Sequence, residues 1–81
     1  SGTELTIELA RRMGRPIRIV DLTDDPEAGS VVRWITSNRF RQVIVAGPRE
    51  SECPGIYGLA SAFLLRVFTV LASRLPFKAI W

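Results

Sequence analysis

Residues 17–22 read Ile-Arg-Ile-Val-Asp-Leu, and residues 42–46 read Gln-Val-Ile-Val-Ala. Each is a short, β-branched, largely apolar run, the pattern of a strand covered on both faces. Between them lie a turn at Thr23–Pro26 and a helical stretch to about Ser37. Asp25 before Pro26 reads as an N-cap with proline at the first helical position, and Asp24 with Glu27 has the spacing of a capping box. This helix buries Val31, Val32, Trp34 and Ile35 in part, and Asn38 is its expected C-cap. A strand, a helix of this length and a second strand form a right-handed crossover with a parallel strand pair.

Working outward, Thr3–Met13 reads as a helix whose apolar face carries Leu5, Leu9 and Met13, widened by Ala10. Ser1 or Thr3 caps its start, Gly14 gives a left-handed stop, and Pro16 forbids continuation. On the other side, Gly47–Cys53 is a loop and Pro54 opens a last helix. Ile56, Leu59, Ala60, Phe63, Leu64, Val67, Phe68 and Leu71 follow helical spacing there, Pro76 ends it, and Phe77–Trp81 is an apolar tail. The expected architecture is one α/β domain over residues 1–81, in the order α-β-α-β-α. Two parallel strands are half of a doubly wound sheet, so assembly with further copies is expected to complete it.

Composition narrows the chemistry. Of 81 residues, 47% are hydrophobic and 23% charged, which excludes a disordered segment. There is no histidine and one cysteine, Cys53, so one chain holds no internal disulfide, no Cys/His zinc site and no Ser-His or Cys-His catalytic pair. No metal is expected. The net charge is +3, and every basic residue but Lys78 is arginine. Genomic base composition accounts for that bias, while the planar guanidinium also suits phosphate and carboxylate. The arginines are scattered without a stripe of interleaved aromatics, so no nucleic-acid partner is expected. Ser1–Arg12 lacks the pattern of a signal peptide, and the expected location is cytoplasmic. The apolar stretch Ile56–Leu75 has about the length of a membrane span, but Arg66 near its middle favours a buried or oligomeric helix.

Two segments carry candidate binding chemistry. Ser1-Gly2-Thr3 opens a helix, where free amides and the helix dipole attract an anion, and Thr6 adds a hydroxyl on the first turn. Plain capping is the competing reading. Ala46-Gly47-Pro48-Arg49-Glu50-Ser51 leaves the carboxyl end of a strand, the edge at which open α/β sheets bind ligands. Gly47 permits a tight exit, Arg49 can fork onto phosphate, and Glu50 and Ser51 complete the polar cluster. A solvated turn with Arg49 paired to Glu50 or Glu52 is the alternative. Asp21 is a possible ribose acceptor or a helix cap, and Tyr57 is a packing residue that could also line the pocket. Cys53 lacks a base or partner thiol.

The stretches GTELTIELARRMGRPIRIVDL and VIVAGPRESECPGIY, within Gly2–Tyr57, resemble the C-terminal half of the circularly permuted YpsA-like proteins. That family belongs to the SLOG superfamily and often carries the label of molybdenum carrier. The resemblance implies a Rossmann-like half-domain that binds a nucleotide or nucleotide-derived ligand, with Gly2 and Thr3 at the Gly-Thr helix start. The permuted strand and loop correspond to Val43–Ser51, both segments facing one pocket. Related phosphoribohydrolases have a glutamate three residues after that threonine; Thr6 stands there, which weighs against hydrolysis of nucleoside monophosphates. No residue argues for a molybdenum ligand.

The expected function is therefore binding of a phosphorylated small molecule, through Gly2, Thr3, Thr6, Gly47, Pro48, Arg49, Glu50 and Ser51, with no catalytic residue assigned. The cofactor is of nucleotide type and otherwise unknown. The alternative is a ligand-free structural or oligomerisation module. A homodimer or larger homo-oligomer is expected through the last helix, the tail or sheet continuation, because Leu65 and Val70 lie off the main stripe of that helix.

Overall fold

Gly14 adopts φ 67, the left-handed conformation that glycine reaches without a Cβ penalty, and it stops the first helix where the sequence places the stop. In a computed structural model of the chain, which describes residues 2–73 and 78–80, this helix is α1, Gly2–Arg12. The Arg15 amide bonds back to the Ala10 carbonyl at 2.8 Å and closes the turn. The order continues with α2 (Ala28–Ser37), β1 (Gln42–Ile44), α3 (Ile56–Leu71) and β2 (Lys78–Ile80).

This order, α-α-β-α-β, corrects the expected α-β-α-β-α. Residues 17–21 pair with no strand among the described residues, and Leu22–Asp24 is a short 3-10 turn. A β-branched run becomes a strand only when a neighbour accepts its amides, and the partner of β1 is β2 instead. The two pair in parallel, Gln42 opposite Lys78, Val43 opposite Ala79 and Ile44 opposite Ile80. The crossover helix of the pair is α3 rather than α2. The expected second strand shortens to Gln42–Ile44 and is not buried, since Ile44 is 70% exposed. The expected apolar tail supplies β2; Phe77 and Trp81 lie outside the described residues.

The entry to α2 also differs. Asp21 accepts hydrogen bonds from the Thr23 amide at 2.9 Å and the Thr23 hydroxyl at 2.6 Å, which nucleates the 3-10 turn. Asp25 then takes φ 44, a helix stop rather than a helix start, and α2 begins later, after Glu27. The Ser30 hydroxyl donates to the Glu27 carbonyl there. At the other end Asn38 is the C-cap as expected, its amide side chain donating to the Trp34 carbonyl at 2.7 Å. Trp34 meets Phe40 edge-on, with ring centroids 5.0 Å apart.

The core is the seam between α2 and α3. Val32, Ile35, Phe63, Val67 and Leu71 are buried, and Val20, Leu22, Val31, Trp34, Phe40, Val43 and Phe68 pack around them. The stripe residues Phe63, Val67 and Leu71 of α3 are thus covered within one chain, while Leu59 of the same stripe is 46% exposed. The off-stripe residues Leu65 and Val70 are exposed. Arg66 is exposed too, its guanidinium 5.9 Å from the centre of the Phe63 ring, within cation–π range. Among the described residues no helix is long and apolar enough to cross a membrane.

The first helix is turned differently from its expected face. Thr3, Ile7 and Ala10 are the half-buried residues, whereas Leu5, Leu9 and Met13 are 57%, 47% and 66% exposed. None of the core residues comes from α1.

Candidate functional site

β1 ends at Ile44, and the chain then runs past the first two turns of α1. Thr3 and Thr6, one turn apart on α1, line a hollow of about 350 Å³ together with Val45, Ala46, Gly47, Arg49 and Glu52. Both segments singled out in the sequence thus border one hollow, and four of the expected binding residues, Thr3, Thr6, Gly47 and Arg49, line it.

The lining has three notable chemical features. The Thr3 hydroxyl oxygen is enclosed and has no hydrogen-bond partner. A buried hydroxyl left unpaired costs about 1–3 kcal/mol. Arg49 is 83% exposed and pairs loosely with Glu52, at 3.8 Å. Exposed pairs of this kind are worth at most about 1 kcal/mol, so the guanidinium is available to a stronger anion. Gly47 lies outside the left-handed region, and a Cβ built on it meets no atom within 4 Å. The fold does not require glycine there. Its lack of a side chain keeps the hollow open.

Loop geometry holds Arg49 in place. Its carbonyl accepts from the Glu52 and Cys53 amides, each at 3.0 Å, a tight turn that carries the chain toward α3. Cys53 is a half-buried part of this turn.

The other expected site residues are placed elsewhere. Glu50 caps α3: its carboxylate accepts from the Gly55 amide at 2.6 Å and the Tyr57 amide at 3.0 Å. The bond from Gly55, then that from Tyr57, holds its pKa below the ordinary glutamate range. The free amides at the start of α3, an anion site by their nature, are thus already supplied with a carboxylate. Asp21 is engaged by Thr23, first through the hydroxyl and then through the amide, and its pKa is likewise lowered. It caps the 3-10 turn at Leu22–Asp24, as one of the two readings expects. Gly2 opens α1; Pro48, Ser51 and Tyr57 do not line the hollow, the last 59% exposed. Val45 and Ala46 belong to the expected strand and loop but not to the expected binding set, and Glu52 is expected only as an ion-pair partner; all three line the hollow. Among the described residues no three His, Cys, Asp or Glu side chains gather to hold a metal ion.

A family model described as circularly permutated YpsA SLOG matches residues 1–68, most of the chain and all of the hollow. No curated protein and no solved structure matches.

Proposed function

Because the chain belongs to the circularly permutated YpsA SLOG family, we propose that it is a Rossmann-like ligand-binding domain whose hollow receives the phosphate of a nucleotide or related small molecule. The observation that supports the reading is that Thr3, whose hydroxyl has no partner, and the exposed Arg49 line the same hollow. A hydroxyl donor and an exposed guanidinium are complementary to phosphate oxygens, and the start of α1 adds a favourable dipole. Thr6 and the open surface over Gly47 complete the cradle. Glu50 is removed from the binding set and reassigned to capping, so the anion is received beside α1 rather than at the start of α3.

Calorimetric titration with a nucleoside monophosphate, and separately with inorganic phosphate, tests this. Saturable binding is expected, weakened by about 1.5–3 kcal/mol in Arg49→Ala, the range for a hydrogen bond to a charged group. Binding that Arg49→Ala leaves unchanged would move the site elsewhere. No binding of either compound would favour the ligand-free structural module.

A further inference from the structure

The hollow beside α1 carries charges of both signs. Arg49 and Glu52 both line it, and among the described residues Glu52 is the one acidic side chain that does so. A site for a bare anion gains nothing from a carboxylate, because a like charge close by opposes binding. The fold makes little use of that carboxylate either. The Glu52 amide, not its side chain, donates to the Arg49 carbonyl at 3.0 Å. The side chain meets the Arg49 Nε at 3.8 Å, beyond hydrogen-bond length, and is 45% exposed. Glu50 differs, since its carboxylate is engaged by the Gly55 and Tyr57 amides. Resting on the reading that the hollow receives a phosphate, we propose that Glu52 is its specificity-determining residue. Its carboxylate accepts two neighbouring sugar hydroxyls of the same ligand, so the hollow selects a ribonucleoside phosphate over free phosphate and over a nucleotide lacking those hydroxyls.

Charge selects the kind of donor. A group brought to the Glu52 carboxylate lies near the Arg49 guanidinium as well. An ammonium there would face that cation, whereas hydroxyls donate without adding charge. A carboxylate has two acceptor oxygens side by side, and a vicinal diol has two O–H donors side by side, so the two can meet in paired bonds. The phosphate of the ligand takes the guanidinium, whose fork matches its oxygens. The contact between Arg49 and Glu52 opens readily, because an ion pair this exposed is weak. The volume of about 350 Å³ lies at the lower end of the range for ligand pockets, which suits a phosphorylated sugar.

Calorimetric titration with the four common ribonucleoside monophosphates, with the dideoxy counterpart of the tightest, and with inorganic phosphate tests this. The unmodified chain is expected to bind the ribonucleotide about tenfold or more tightly than its dideoxy counterpart, the scale of a hydrogen bond to a charged group. Glu52→Ala should bring that ratio close to unity. The same variant should bind inorganic phosphate more tightly than the unmodified chain, because no carboxylate competes for Arg49. Its melting temperature should match that of the unmodified chain, since the contact it loses is loose. Should it fail to fold, Glu52→Gln replaces it and is expected to reduce the ratio about threefold or more, because a neutral acceptor makes weaker bonds than a charged one. An unmodified chain that binds both nucleotides equally would overturn the role of Glu52 and leave phosphate binding intact. So would a variant that shifts both affinities by the same factor, which would mean that Glu52 acts only through Arg49. Failure of the unmodified chain to bind any of these compounds would remove the phosphate reading, and this inference with it.

Discussion

Thr3 pays for being where it is. An enclosed hydroxyl with no partner lowers stability, and nothing in the packing of α1 requires oxygen at that point. Thr3→Val keeps the shape and removes the unpaired group. Thermal or urea unfolding of the ligand-free variant is expected to show a gain of about 1 kcal/mol, while affinity for the phosphate ligand falls. Opposite signs in the two measurements separate a binding residue from a packing residue, because a packing residue loses stability when altered. Glu50 behaves in the reverse way. Its folded pKa is lowered, so its carboxylate contributes stability that is fully present above the ordinary value of 4.5 and is lost as pH falls through the lower folded value. Glu50→Gln is expected to lower the melting temperature at neutral pH, and the gap from the unmodified chain should close on acidification below pH 4.5. A gap that stays constant with pH would mean that the carboxylate charge at the start of α3 contributes nothing.

At the scale of elements, the start of α3 depends on Gly55, at φ 88 and ψ −7. A Cβ there meets open space, so Gly55→Ala introduces backbone strain alone. It is expected to cost about 1–2 kcal/mol in urea unfolding, while Gly47→Ala, at an unstrained position, should cost less. The sequence makes the helices legible, since the stripe Phe63, Val67 and Leu71 and the stop at Gly14 are local patterns. It does not make strand partners legible. Ile17–Leu22 has the composition of a strand, but composition says nothing about which edge is free to receive it, and Lys78–Ile80 takes the place beside β1. The face of α1 was misread for a related reason. Periodicity selects the more apolar side, Leu5, Leu9 and Met13, whereas the fold half-buries Thr3, beside the loop after β1, and Ile7, beside Ile19. For the site, the residue types at Thr3, Thr6, Gly47 and Arg49 were readable. The capping role of Glu50 was not, because the chain turns at Gly55 and returns the α3 amides to a carboxylate outside the usual capping-box spacing.

For the whole molecule, the core joins α2 to α3 and leaves α1 at its margin. Stability is therefore uneven. Amide hydrogen exchange under native conditions is expected to be slowest in the middle of α2 and α3 and faster throughout α1, because opening α1 exposes none of the buried core. Equal protection in the three helices would contradict that division. The contact between Trp34 and Phe40 has an optical consequence. The indole is held edge-on to a second ring at 5.0 Å and 67°, across the turn that takes α2 into β1. A tryptophan fixed in such an asymmetric setting gives near-ultraviolet circular dichroism, which vanishes when packing loosens even if helices persist. In a Trp81→Phe background that band has a single indole source, so the junction between helix and strand carries its own spectroscopic label.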